Sequence, residues 1–324
     1  MSSLDDASIF MEGQIGMPAQ AAAPRSRQEI WLLGQPPLGR YLHFVRESVI
    51  GGADLPQRQL ADEWRAANDH YGELEQREAG LADTIDWREL DPELLPLADA
   101  VRADPRFRHT FPALPVTFGM VELDKLVVYQ LRVTGDFVDG LARRLGPAPD
   151  PGTIFQTCQP LDAEPPRLQI EKADDNRFLF TSESHDMRFH ETRLFGAADL
   201  PDYASFGTVG GIVGLVVGFG GNFLNAIRSD DRFLLNNGYH RAVALRSLGV
   251  THVPCVIQAV TRLDELGVVG PERVVDDPAF YFRARRPPLL KDFFDSRIAR
   301  RLPTRPRRKL IEVSFKVHRT YVTG

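Results

Sequence analysis

Apolar residues recur at helical spacing twice in the first third of the chain. Leu60, Trp64, Ala67, Tyr71 and Leu74 share one face behind Asp54 and Pro56, which predicts an amphipathic helix through Gln76. Leu94, Leu95, Leu97, Ala98 and Val101 predict a second helix from Pro92 to Ala103. Both stripes suit a layer that covers a sheet. Later the period changes to two. Stretches 167–170, 177–181 and 187–195 alternate apolar and polar residues around Asp-, Asn- and Ser-rich turns, predicting a small antiparallel sheet. The run GGIVGLVVGF, from Gly210 to Phe219, is the most apolar in the chain but falls well short of the roughly 20 residues of a membrane span. It predicts a central strand of the core sheet, beside a second strand from Phe223 to Leu235. Ile311, Val313, Phe315 and Val317 alternate with polar neighbours and predict a closing strand.

One junction carries chemistry. Phe233, Leu234 and Leu235 read as a short buried strand, Ala242, Leu245 and Leu248 repeat at helical spacing, and Gly249 stands where a C-terminal cap belongs. The chain therefore turns at Asn237-Gly238. The first amides of a helix lack internal partners and carry partial positive charge, so they favour an anion, phosphate above all. Arg241 adds a forked guanidinium and His240 a titratable donor. The alternative reading is ordinary turn chemistry, in which Gly supplies positive φ and Asn bonds locally.

From Leu234 to Ile257 the chain reads LLNNGYHRAVALRSLGVTHVPCVI, and this stretch resembles the glycine, x, His/Arg, Arg box of the ParB N-terminal/sulfiredoxin superfamily. From Val121 to Leu145, VELDKLVVYQLRVTGDFVDGLARRL is similar to that family's opening strand, Gln-x-Arg box and following helix, with Gln130 and Arg132 in the box. The two matches stand in the family's order and cover about a sixth of the chain. The resemblance implies a nucleotide site in which Asn237, Gly238, Tyr239, His240 and Arg241 hold the phosphates while Gln130 and Arg132 approach from the other side. It also implies a magnesium ion with CTP or ATP as the cofactor. Sulfiredoxins place a reactive Cys at the position of Tyr239, so sulfinic acid reduction is not expected. CTP-hydrolysing ParB proteins carry an acidic residue there, so the resemblance assigns phosphate binding and leaves hydrolysis or phosphoryl transfer open. His240 is the candidate catalytic residue. Tyr239 has two open roles, stacking on a base or phosphate and packing in the interior.

Composition sets the bounds. The 324 residues, 43% of them hydrophobic, suffice for one large or two ordinary domains. Asp5 and Asp6 exclude a basic secretory start, which makes the expected location cytoplasmic, with no membrane partner. Cys158 and Cys255 are too few for a disulfide framework and read as reduced thiols. Glu183, His185, Asp186, His190 and Glu191 are metal-ligand types, but the five-residue separation of the histidines puts them on opposite faces of a strand, so no metal site is assigned.

Charge is uneven. Arg283 to Arg319 carries a net of +10, against −5 for the whole chain. Arg300, Arg301, Arg305, Arg307, Arg308 and Lys309 are dense enough to contact nucleic acid phosphates. Alternatively this arm folds over the acidic body, pairing charges within the chain or across a homodimer. The expected fold class is α+β: a small mixed-sheet core over 113–262 with an insertion at about 147–204. A disordered leader (1–28), a helical extension (29–112) and a basic segment (263–324) complete the organisation. The expected function is nucleotide binding, and the competing one is a non-enzymatic adaptor whose basic segment binds DNA or an acidic protein.

Overall fold

The computed structural model describes residues 26–321 except 163, 185, 197, 198 and 200–206, so most of the predicted leader lies outside the described residues. The fold is α+β. In chain order the N-terminal part comprises β1 (Arg27–Leu32), α1 (Leu38–Ser48), α2 (Gln57–Arg77), β2 (Trp87–Glu89), α3 (Leu95–Ala103) and α4 (Pro105–Thr110). Next come β3 (Val116–Glu122), β4 (Val127–Val128), β5 (Arg132–Thr134), α5 (Gly135–Leu145) and α6 (Pro151–Cys158). The strands β6 (Gln169–Asp174), β7 (Arg177–Ser182), β8 (Met187–Phe195) and β9 (Ile212–Phe219) follow, then β10 (Asn225–Ser229), β11 (Arg232–Asn237), α7 (Tyr239–Ser247) and β12 (His252–Val260). Three short helices, α8 (Leu266–Val269), α9 (Glu272–Asp276) and α10 (Pro278–Phe282), precede β13 (Ala299–Thr304) and β14 (Lys309–Ser314).

A six-stranded mixed sheet, ordered β2-β3-β12-β10-β11-β4, forms the centre. Its strands alternate between two buried faces, as a period of two requires. Phe233, Leu235, Cys255 and Ile257 point into a core shared with α5 and α7. Leu234 and Ile227 point the other way, onto Leu266, Val274 and Tyr281 of the short helices. Farther along that far face, Phe118, Met120 and Val256 meet Phe107 and Phe155. A second sheet, β13-β1-β5, lies across the first core. Its Ile30, Leu32 and Val133 join α5 and α7, while Trp31 and Leu302 pack with Tyr41 and Phe44 of α1 and Leu60 and Leu74 of α2.

The two N-terminal amphipathic helices stand where the spacing puts them. The glycine-rich run does not: β9 pairs with β8 in a two-stranded ribbon outside the central sheet, and Val213 on it is 62% exposed. An apolar run fixes a strand without fixing its partner, and here the partner is the preceding alternating segment. The inserted section accordingly extends to Phe219. It also opens with a helix, since α6 places Phe155 and Cys158 in the interior. Phe223 to Leu235 is two antiparallel strands, β10 and β11, turning at Asp230, which has φ +52°. The closing strand β14 forms, but pairs with β7 of the insertion.

Candidate functional site

The strand-to-helix junction is built on Gly238, which caps α7 at φ +102°. A Cβ there would stand 2.7 Å from Leu224 Cγ, so only glycine closes the turn. The Gly238 amide donates to Asn237 Oδ1 at 2.8 Å, and Asn237 Nδ2 donates to the Gly221 carbonyl at 3.3 Å.

Tyr239 is 3% exposed and fully engaged. Its hydroxyl donates to the Leu235 carbonyl at 2.7 Å and accepts the amides of Tyr129 at 3.0 Å and Gln130 at 3.3 Å. One proton and two lone pairs are thereby all used. Burial pushes its pKa well above the ordinary tyrosine value. His240 Nε2 accepts the Thr134 amide at 3.0 Å, and its ring meets Phe137 edge-on with centroids 5.2 Å apart. This bond fixes the tautomer with the lone pair on Nε2 already occupied, so His240 cannot act as a base through that nitrogen. The predicted boxes are thus brought together by two side chains of the second bonding backbone amides of the first.

Arg241 departs from expectation. Its guanidinium donates to the carbonyls of Thr157 (3.3 Å), Cys158 (2.8 Å) and Asn222 (2.7 Å) and to Asn222 Oδ1 (2.9 Å). The first two are C-terminal carbonyls of α6, which lack helical partners and favour a cation. Arg241 therefore closes α6 and the loop before β10 instead of facing solvent. Desolvation lowers its pKa to about 10, leaving it charged at neutral pH. Burial likewise pushes the Cys158 thiol up to about 12 and raises Cys255, so both are inert thiols.

Gln130 and Arg132 lie beside the junction. Gln130 Nε2 donates to the Arg132 carbonyl at 2.7 Å. The Arg132 guanidinium lies 5.7 Å from the ring centroids of both Trp31 and Phe44 and 3.6 Å from Glu29 Oε2. Burial lowers its pKa; Glu29 opposes this and Arg307 adds to it.

Sequence analysis missed Arg40 and Arg273. Arg40, in the first turn of α1, has its pKa lowered by burial and then by Arg273 and Arg132. Burial raises the Tyr281 pKa, and Arg273, on α9, opposes that rise. The spacing Tyr41, Phe44, Val45, Ser48 would have signalled α1 and placed Arg40 one turn from Phe44.

The basic segment is docked. Arg300 pairs with Glu63, Arg301 with Asp139 at 2.8 Å, and Arg307 donates to Ser48 Oγ. Lys309 opens β14, and Arg305 and Arg308 are exposed without ion pairs among the described residues. Of the acidic and histidine set in the insertion, His185 lies outside the described residues. Asp186 Oδ2 accepts the Gly220 amide, Glu191 pairs with Arg193, and Glu183 with Arg27. Among the described residues no group of three or more His, Cys, Asp or Glu could hold a metal, and no helix is long and apolar enough to cross a membrane. The chain matches no protein-family model, and neither a curated protein nor a solved structure is significantly similar to it.

Proposed function

We propose that the protein binds a nucleoside polyphosphate where the Gln130–Thr134 segment meets the Asn237–Arg241 segment. The observation that carries this reading is the half-exposed Arg132 guanidinium beside the joined boxes, whose one carboxylate partner among the described residues is Glu29 at 3.6 Å. An anion supplies what that guanidinium lacks, a close bidentate partner. Gln130, Asn236, Asn237 and His240 are half-exposed around the same junction and offer neutral hydrogen-bonding groups to a phosphate or base. Tyr239 and Arg241 serve by shaping the junction, since their polar atoms are spent on the backbone. A magnesium ion would travel with the phosphates, as such ions keep most of their ligands from water and phosphate oxygen. Thermal unfolding with CTP, ATP, GTP and ADP, with and without magnesium, tests the reading: a triphosphate should raise Tm. Absence of a shift with every nucleotide would sink it.

A second reading is favoured by exposed Arg305 and Arg308, on the loop between β13 and β14. These could meet the phosphates of DNA or an acidic protein, as a non-enzymatic adaptor would. Here binding should fall steeply with salt.

A further inference from the structure

We infer that a second site, independent of the nucleotide reading, binds a free α-amino acid with an apolar side chain in the cavity between helices α5 and α7 and the edge strand β13.

The cavity has a volume of about 220 Å³ and opens on the surface. It exists because small residues stand where the second sheet ends. β13 is an outer strand of that sheet, and its Ala299 and Arg301 pair with Leu32 and Ile30, so their side chains lie on the face turned toward α5 and α7. Ala299, Ser247 at the end of α7 and Ser296 before β13 leave space that larger side chains would close. The apolar walls are Ile30, Val138, Val243, Phe293 and Phe294. All but Phe294 are at most 5% exposed, whereas Phe294 is 37% exposed and reaches the surface. A dry cavity of roughly 150 Å³ admits a benzene ring, so this one admits a branched alkyl or phenyl group with a few polar atoms beside it.

The polar lining is divided by role. Acceptors come from the helices: Asp139 on α5, and Ser247, whose hydroxyl proton is given to the Ala244 carbonyl at 2.6 Å. Arg301 donates from the strand side, and Ser296 adds a hydroxyl on the segment leading into β13. Arg301 and Asp139 pair at 2.8 and 3.2 Å, which takes two of the five N–H donors of the guanidinium. Both side chains are about half exposed, so a ligand can reach their remaining donors and lone pairs. Their charges cancel, and Arg246, which lies over Phe294 at 4.2 Å, is balanced by Asp124. A ligand with net charge would be drawn to one ion and repelled by the other. An ammonium and a carboxylate on one carbon match both: the ammonium donates to Asp139 and Ser247, and the carboxylate accepts from Arg301 and Ser296. The apolar side chain then covers the Val138 and Phe293 wall and removes it from water.

The test is thermal unfolding and isothermal titration calorimetry of the full chain with L-leucine and L-phenylalanine, each to about 10 mM, so that millimolar binding registers. Leucinamide, which lacks the carboxylate, and N-acetyl-leucine, which lacks the ammonium, are the controls. We expect both amino acids to raise Tm and each control to bind at least about ten-fold more weakly than leucine. Asp139→Asn keeps the shape of the wall and should weaken leucine by a similar factor. If that variant is unstable, Ser247→Phe replaces it, since the position is exposed and the larger side chain fills the cavity while the ion pair is unaltered. Absence of a shift with both amino acids would overturn the site. Leucine binding that is unchanged in Ser247→Phe would move it elsewhere on the chain and so overturn the assignment to this cavity. A control that binds as tightly as leucine would overturn the assignment to a free amino acid.

Discussion

The Tyr239 hydroxyl accepts the Tyr129 amide at 3.0 Å, which ties the first turn of α7 to the chain leaving β4. The two rings also meet in a T-shaped contact, with centroids 5.6 Å apart. Through the bond the late box fixes the position of the early one.

Tyr239→Phe should therefore cost stability without changing the packed volume. It removes the partner of the part-buried Tyr129 and Gln130 amides and of the buried Leu235 carbonyl, and leaving buried groups unsatisfied costs about 1–3 kcal/mol. Urea unfolding should show a lower midpoint at unchanged slope. If the midpoint stays at the wild-type value, the hydroxyl does not join the boxes.

Arg241 should behave as a structural residue. Arg241→Lys keeps the charge but cannot reach four acceptors on three residues with one ammonium. A loss on the order of 3 kcal/mol is expected, from several orphaned carbonyls at once. At a temperature where the variant is still folded, its affinity for a nucleotide should match wild type. A folded variant that has lost nucleotide binding would return Arg241 to the phosphates.

Much of this architecture is legible in the residues because local signals and tertiary packing agree. Leu60 to Leu74 repeats at a helical period and becomes α2, and Gly249, with φ +83°, ends α7 as a C-terminal glycine should. The boxes could be placed side by side from their order alone. The occupancy of each side chain could not. Nothing in the local sequence says that Arg241 faces the carbonyl end of α6, 83 residues earlier, because that helix lies inside an insertion whose path is set by tertiary packing. For the same reason Gly210 to Phe219 reads as a central strand: β-branched residues report strand propensity, and partner choice is decided by distant segments. Helix α1 has no legible start, because it lacks a side-chain N-cap, the usual marker of a helix start.

Acid should release the C-terminal segment first. Arg301 holds the Asp139 carboxylate below its ordinary pKa, joining α5 to β13. Burial raises Glu78, but bonds from Lys291 and Arg286 outweigh it and the net shift is downward. A carboxylate with a depressed folded pKa stabilises the fold above its unfolded value, and this stability is lost as pH falls through the folded value. The loss should begin below about pH 4–4.5, near the unfolded carboxylate values, and Asp139→Asn should flatten the part due to the α5 pair. Stability that is flat from pH 5 to pH 2 in wild type would contradict this.

Removing everything after Phe282 should unfold the protein instead of freeing its nucleotide site. The deletion would strip β13 from β1 along six paired positions and take Ile298 and Leu302 from the core beneath α1 and α2. It would also remove Arg286 and Asp292, a buried pair joined at 2.5 and 2.6 Å, and leave Glu78 without either of its cationic partners. Breaking such a pair alone, as in Arg286→Met, should cost about 3–5 kcal/mol because Asp292 remains buried and uncompensated. The DNA reading is better tested with Arg305→Glu/Arg308→Glu, since both side chains are exposed and their reversal leaves the docked strands intact. If the loop between β13 and β14 meets nucleic acid, this variant should lose DNA affinity and much of its salt dependence while keeping nucleotide affinity and Tm. Equal DNA binding by the variant and wild type across the salt series would remove the loop from any nucleic acid interface.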